Sequence, residues 1–200
     1  MDITNFEKLP DEKRLAILNA GILCFGQSGY QKTAISEIAA EAGVSKAAIF
    51  HYFGTKKDLY LYLYNYAHKE LLERLSKGTK DYFESLTTYT QARIQLIKKH
   101  PGMEDFLRLQ NQKNDFDAPD ELVSMEKQHC EQGIAMLFNQ VDWNRFQEGY
   151  DKDTVINLTA WVGEGCLKHF TETMSLDEAY LEVERYFTIL KRALYKPEYL

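Results

Sequence analysis

A short run of residues near the N-terminus combines the groups that a protein needs to read DNA bases. Lys46 is followed by two alanines and then by the aromatic and hydrogen-bonding side chains of Phe50, His51 and Tyr52. A lysine ammonium can donate hydrogen bonds to guanine, and small neighbours let a helix approach base edges in a major groove. Lys56 follows where a flanking phosphate would lie. The run predicts contact with double-stranded DNA.

Two short helices joined by a sharp turn are needed to present these side chains. Gly43 can adopt the positive φ that such a turn requires, and Ser45 can cap the second helix and leave its first turn exposed. The apolar residues spaced for burial between the two helices are Ile35, Ile38, Val44 and Ile49. Together with the exposed run that follows, they favour a helix-turn-helix over an ordinary helical corner.

Residues from about 11 to 60 resemble the DNA-binding domain of the tetracycline-repressor (TetR/AcrR-like) family of transcriptional regulators. The motifs that carry the resemblance are Phe25 to Gly29-Tyr30, Thr33-Ala34-Ile35 with Ile38-Ala39, Ala42-Gly43-Val44-Ser45, and Ile49-Phe50-His51-Tyr52-Phe53 followed by Lys56, Asp58 and Leu59. They cover about a quarter of the chain, and their order and spacing are specific. The rest of the chain resembles the family only in being helical and of suitable length.

The resemblance assigns roles to individual residues. It implies that Thr33 caps its helix and meets a phosphate, and that Phe50 and Tyr52 contact the sugar-phosphate backbone, although Phe50 lacks the usual tyrosine hydroxyl. His51 can reach a base or simply pack, and both readings stay open. The complete predicted DNA-binding set is Thr33, Ser45, Lys46, Ala47, Ala48, Phe50, His51, Tyr52 and Lys56.

Composition and charge are compatible with this reading and exclude several other classes. The net charge is −6 over 200 residues, yet the first sixty residues hold seven basic and seven acidic side chains, so the acidity lies outside the predicted DNA-binding segment. The three cysteines have neither disulfide nor metal spacing. The sequence shows no secretory signal and no apolar run long enough for a bilayer, which predicts a cytoplasmic protein without membrane contact.

Helical periodicity continues to the C-terminus and predicts an all-α fold. We expect an N-terminal three-helix domain with the helix-turn-helix over 1–55 and a larger helical-bundle domain for ligand sensing and dimerisation over 56–200. The stretch 60–66 alternates like a strand, but the cap at Thr55 and the helix formers after it favour a helix.

A seam at heptad spacing in the last helix predicts a homodimer. Leu176, Tyr180, Val183, Phe187, Leu190 and Leu194 recur at alternating four- and three-residue steps. The alternative is that the seam packs within its own subunit. The resemblance favours the partner, because members of the family pair through their last two long helices. The predicted interface set is Leu158, Val162, Gly165, Tyr180, Val183, Phe187, Leu190 and Leu194.

Aromatic and polar residues at helical spacing suggest a ligand pocket in the second domain, although such stripes are more often ordinary core. The candidate ligand-binding residues are Tyr62, Tyr66, Tyr89, Arg93, Phe106, His129, Trp161 and Glu164. They would suit a small hydrophobic or aromatic effector.

The sequence predicts a DNA-binding regulator, specifically a repressor that a small-molecule inducer releases from a pseudo-palindromic operator. The alternative is a dimeric DNA-binding module without a ligand, regulated through a protein partner. No catalytic, cofactor or metal signature is found, so we expect neither an enzyme nor a cofactor or metal site.

Overall fold

The computed structural model describes residues 3–75, 78–111, 120–171 and 173–200, and this part of the chain is helical, without strands. The helices are α1 (Thr4–Glu7), α2 (Asp11–Lys32), α3 (Ile35–Glu41), α4 (Lys46–Phe53), α5 (Lys56–Arg74), α6 (Tyr82–Lys99), α7 (Met103–Asn111), α8 (Asp120–Phe138), α9 (Lys152–Thr171) and α10 (Leu176–Leu194). The predicted all-α class with an N-terminal helix-turn-helix is confirmed. No helix in the described ranges is long and apolar enough to cross a membrane.

The chain divides into two compact units. The first comprises residues 1–73 and 95–131, and the second comprises residues 74–94 and 132–200. α5 therefore lies in the same unit as the helix-turn-helix, while the functional boundary near residue 55 stays a prediction.

In the first unit, α3 and α4 pack as a helix pair around a small apolar centre. Ile38 and Ile49 are fully buried, and Gly43 in the connecting turn has a φ of 65° with open space around its α-carbon. Only glycine enters this region of backbone space without strain, so the turn follows from the residue at this position. Segment 60–66 is helical within α5 as predicted, because Thr55 and Asp58 cap its start through reciprocal hydrogen bonds of 2.6 and 3.0 Å.

Two glycines bring α2 and α7 into close contact. A Cβ added at Gly26 would lie 2.8 Å from the carbonyl oxygen of Gly102, and one added at Gly102 would lie 2.8 Å from the α-carbon of Leu23. Gly102 also has a φ of 80°. The contact therefore depends on the absence of side chains at both positions, since the atoms that would be met are backbone atoms.

The second unit is held by a buried acid at the start of α6. Asp81 is 5% exposed and accepts hydrogen bonds from Lys191 at 2.7 Å and Arg145 at 3.0 Å. Its other carboxylate oxygen accepts from the backbone N–H of Phe83 at 2.9 Å. The Tyr195 hydroxyl donates to Asp81 and accepts from the backbone N–H of Tyr82, so the end of α10 is fixed to the start of α6.

α9 and α10 approach each other closely within the same unit. A Cβ at Gly163 would lie 3.3 Å from the ring of Phe187, so the two helices are close at this point. Val183, Phe187 and Leu194 lie on the same side of α10 and are buried. The apolar side of α10 is therefore covered by its own subunit.

Candidate nucleic-acid interface

The first turn of α4 is presented to solvent as the sequence predicts. The Ser45 hydroxyl accepts a hydrogen bond from the backbone N–H of Ala48 at 3.1 Å, which caps the helix. Lys46 and Ala47 are exposed and Ala48 is half-exposed. The exposed turn thus combines one cation with two methyl groups, which fits close approach to base edges.

Phe50 lies beside this turn and is 39% exposed. The ammonium of Lys46 is 5.8 Å from the centroid of its ring. Without a hydroxyl the ring offers an apolar face instead of a hydrogen bond to phosphate. Phe50 therefore offers an apolar surface beside the ammonium of Lys46 on the exposed first turn of α4.

The N-terminal helix α1 supports α4 from below, a feature that the sequence analysis missed. Phe6 is fully buried and its ring lies 4.8 Å from that of Phe53 and 6.0 Å from that of Tyr52. The Asn5 amide donates to Nε2 of His51 at 3.4 Å. His51 is exposed, so this contact fits either of its two predicted roles. An aromatic residue one helical turn before Pro10 is too short a pattern to predict a packed helix.

We expect Phe6→Ala to loosen the last turn of α4. Burying a phenylalanine side chain contributes about 1.5–3 kcal/mol, and loss of the ring leaves Tyr52 and Phe53 with a void. The free energy of unfolding, measured in urea by circular dichroism, should fall by that amount. Phe6→Leu is the matched control and should recover most of it, because a leucine refills much of the volume. Equal stability of Phe6→Ala and the natural protein would contradict this packing role.

Lys56 and Lys57 are both engaged at the start of α5. Lys56 donates to the backbone carbonyl of Gln31 at 3.0 Å and lies over the ring of Tyr30 at 4.7 Å. Burial lowers the pKa of Lys56, with the charge of Glu37 acting in the opposite direction. Lys57 pairs with Glu121 at the start of α8. Lys56, the predicted phosphate-binding lysine, is therefore held in position by the carbonyl of Gln31 and the ring of Tyr30 at the end of α2.

The predicted role of Thr33 is corrected by the structure. Thr33 is 1% exposed, and its hydroxyl donates to the carbonyl oxygens of Gly29 at 2.7 Å and Cys24 at 3.0 Å. The N-cap of α3 is Ala34, whose backbone N–H donates to Glu37. Because Gly29 leaves helical geometry inside α2, carbonyls become available that compete for the threonine hydroxyl. Thr33 therefore closes the end of α2 and has no free hydroxyl to offer to a phosphate.

The candidate ligand-binding residues are divided between the two units. In the first unit, Tyr62 packs on Phe6 and Phe53, Phe106 packs on Tyr60, Tyr66 is hydrogen-bonded to His100, and His129 lies against Tyr64 and His68. In the second unit, Arg93 is buried, Tyr89 is half-buried, and Trp161 and Glu164 are exposed. Exposure of Trp161 conflicts with a pocket-lining role. His68 and Tyr64 were missed because their partner lies about sixty residues away in sequence.

The predicted interface seam is also corrected by burial. Val183 is 1% exposed, and Phe187 and Leu194 are similarly buried within the subunit. Tyr180, Leu190, Leu158 and Val162 are half-buried, and Gly165 is exposed. Heptad spacing identifies an apolar side of a helix but not which neighbour covers it, and here α9 of the same chain does so. Among the side chains of these two helices that the structure describes, the large apolar residues left exposed are Trp161, Leu181, Tyr186 and Ile189.

Comparison with known proteins places these features in context. Residues 17–63 match the family model described as bacterial regulatory proteins of the tetR family. Over 52 residues the chain is 46% identical to the HTH-type transcriptional regulator HbdR of Aromatoleum sp. strain CIB, which covers 26% of this chain and 23% of the relative. Over 99 residues it is 29% identical to the HTH-type regulator YuxN of Bacillus subtilis, covering 50% of this chain and 34% of that protein. The matches thus span about a third or less of these relatives.

Solved structures resemble the whole chain. A TetR family regulator from Chloroflexus aurantiacus superposes with a TM-score of 0.62 at 24% identity, over 96% of this chain and 98% of the other. CprB from Streptomyces coelicolor, solved in complex with its operator sequence, gives a TM-score of 0.64 at 23% identity, over 94% and 90% of the two chains. At this identity the likeness shows a shared fold.

Proposed function

We propose that this chain, which belongs to the tetR family of bacterial regulatory proteins, binds an operator through α4 and represses transcription until an effector releases it. The relatives named in the comparison carry the names of HTH-type transcriptional regulators. The observation that carries the proposal is the exposed first turn of α4, capped by Ser45 and bearing Lys46 beside Phe50. A helix so presented suits a major groove.

A second copy of the chain is the proposed partner of the exposed apolar face of α9 and α10. Trp161 is 70% exposed, Leu181 63% and Ile189 53%. Leu181 and Ile189 are eight residues apart, so they lie on one side of α10. Exposed tryptophan and aliphatic residues are costly in water and are typical of interface centres. A symmetric dimer would present two copies of α4 to a pseudo-palindromic site.

Binding to selected DNA tests the proposal directly. The probe is a duplex selected from a random library by the purified protein, with binding followed by mobility shift at two salt concentrations. Binding should weaken with salt because basic groups displace counterions from phosphates. Recovery of no preferred sequence by the folded protein would overturn the proposal.

We expect Lys46→Ala to weaken this binding. Loss of one base contact should cost about 1–3 kcal/mol, which is about a five- to hundredfold loss of affinity. The selectivity for the selected site should fall with it, because the change removes a base contact and not merely a positive charge. Lys69→Ala is the matched control, since Lys69 is an exposed lysine of α5 paired with Glu73, and it should bind normally. Unchanged selectivity of Lys46→Ala would show that bases are read elsewhere.

Release by an effector is the finer part of the proposal. Ligand sites are mostly apolar with a few polar groups, so the proposed effector is a small hydrophobic or aromatic compound. A compound can release the DNA only if it binds the DNA-free state more tightly than the bound state. Screening such compounds for loss of the mobility-shifted band, with binding confirmed by calorimetry, tests this step.

A further inference from the structure

Two histidines in the first unit lie face to face between α5 and α8. The ring centroids of His68 and His129 are 4.6 Å apart, and their planes differ by 15°. Tyr64 lies one turn before His68, with its ring 4.4 Å from His68 and 5.4 Å from His129. The three rings form a compact aromatic cluster, and we term His68 and His129 the histidine pair.

The pair is uncharged at neutral pH. Burial, together with a smaller contribution from His129, lowers the pKa of His68 to about 4. Burial also lowers the pKa of His129. The Nδ1 atom of His129 is shielded from solvent and makes no hydrogen bond to the described residues. A proton taken up there would add a buried charge whose N–H has no acceptor in place, which is strongly unfavourable.

The charged groups described on the neighbouring helices form ion pairs with one another and not with the two histidines. His68 faces Tyr64 of its own helix and His129 of α8, and within the described ranges neither imidazole forms an ion pair with a carboxylate. Among the described side chains along this stretch of α5, α6 and α8, ion pairs join Lys69 with Glu73, Lys99 with Glu70, and Lys127 with Glu131. Hence no described counterion would offset a proton on the pair.

The position of the pair connects it to the DNA-reading helix. α5 begins at Lys56, three residues after α4 ends at Phe53. α5 contacts α8 near this start through Lys57 and Glu121, and again at the histidine pair. A change in the packing of α5 on α8 therefore acts on the helix that directly follows α4.

We propose that the histidine pair is an acid-sensitive switch, in which protonation separates α5 from α8 and weakens the binding of DNA by α4. This inference rests on the proposed DNA-binding function. Stacked neutral imidazoles attract each other as aromatic rings, whereas two imidazolium ions at this distance repel. The packed state holds fewer protons than the separated state, so acid favours separation.

The direction of the pH effect follows from the pKa of His68. Its folded value of about 4 lies below the ordinary 6.5, so the packed state has its full stability above pH 6.5 and loses it as the pH falls from 6.5 towards 4. One pH unit below 6.5 corresponds to about a tenfold shift in favour of the separated state. We therefore expect DNA affinity to fall between about pH 7.5 and about pH 5.5, with His68 contributing a loss of up to about tenfold, which is reached where the separated state predominates.

The experiment compares the natural protein with His68→Phe and His129→Phe on a duplex selected at neutral pH. Phenylalanine keeps an aromatic ring in the cluster and cannot take up a proton, so each variant should bind with a flatter pH profile than the natural protein, and a variant with both substitutions should bind with a nearly flat one. His169→Phe is the matched control, because His169 is exposed on α9, and it should keep the natural profile. His51→Gln, which changes an exposed side chain of α4, should also keep the natural profile.

A second readout does not depend on DNA. Hydrogen-exchange protection of α5, corrected for the intrinsic effect of pH, should fall on acidification in the natural protein, fall less in His68→Phe, and stay constant when both histidines are replaced. If protection falls as expected but no DNA is bound at neutral pH, the proposed function fails while helix separation stands. If DNA is bound at neutral pH but His68→Phe keeps the natural pH profile, the switch is overturned and the DNA-binding function stands.

Discussion

Replacing both Trp161 and Ile189 with aspartate should give a folded monomer that has lost most of its operator affinity. These side chains are 70% and 53% exposed in the single chain, so the change removes no subunit core. In a dimer they would be buried, and two charges on each side would oppose association. A monomer binds one half-site at a time, and losing the linked second contact weakens binding by about a hundredfold or more.

Light scattering after size exclusion gives the oligomeric state, and mobility shift on the selected duplex gives the affinity. Leu200→Asp is the matched control, because Leu200 is 63% exposed, as Leu181 is, and lies outside α9 and α10. It should leave the dimer intact. A double-aspartate protein that is still dimeric would place the interface on another surface, whereas a monomer with natural affinity would show that pairing is unnecessary for binding.

Asp81→Ala is expected to cause the largest loss of stability. It leaves Lys191 and Arg145 without their shared carboxylate and removes the acceptor for the N–H of Phe83. Breaking a buried pair in this way costs about 3–5 kcal/mol. Urea unfolding followed by circular dichroism measures the change. Asp81→Asn loses the charge but keeps an oxygen that can accept the backbone N–H of Phe83. It should retain part of the stability, and this part measures the hydrogen bond to the backbone separately from the charge.

The same site predicts a pH effect in the acid range. Burial acts to raise the pKa of Asp81, but hydrogen bonds from Lys191 and the backbone outweigh it and hold the pKa below the ordinary value of 3.8. The ionised form therefore stabilises the fold above pH 3.8, and this contribution is lost as the pH falls through the lower folded value. Asp81→Asn should lack that part of the acid dependence. A variant with the natural acid profile would contradict the role assigned to the charge.

The reading turn was predictable because its determinants are local. Gly43 and Ser45 act on residues within one or two turns of themselves, so spacing alone identified the turn, the cap and the exposed Lys46. The predicted role of Thr33 was wrong because the break in α2 at Gly29 leaves backbone carbonyls that accept the threonine hydroxyl. Periodicity does not reveal such a break. Spacing along α10 was equally unable to show whether Val183 faces α9 of its own chain or a second copy.

Long-range pairing explains what the sequence could not supply. His129 was a candidate on its own, but its partner His68 belongs to a helix far earlier in the chain, and neither has a motif around it. The support of α4 by Phe6 likewise depends on a four-residue helix, which is too short for a periodic pattern. Such contacts are specified by packing, and the sequence shows only that aromatic residues are available.

The close contact between α2 and α7 constrains how this chain can evolve. At Gly21, an added methyl group would meet only the end of the Leu63 side chain, which can rotate away. At Gly102 it would meet the backbone of α2 as well as Leu23, and φ is positive there. Mutational drift should therefore accept alanine at 21 in a single step. At position 102, a shorter side chain in place of Leu23 could not act as a second-site suppressor, because the added Cβ would still clash with the α-carbon of residue 23. Stepwise substitution of Gly102 should therefore not be tolerated.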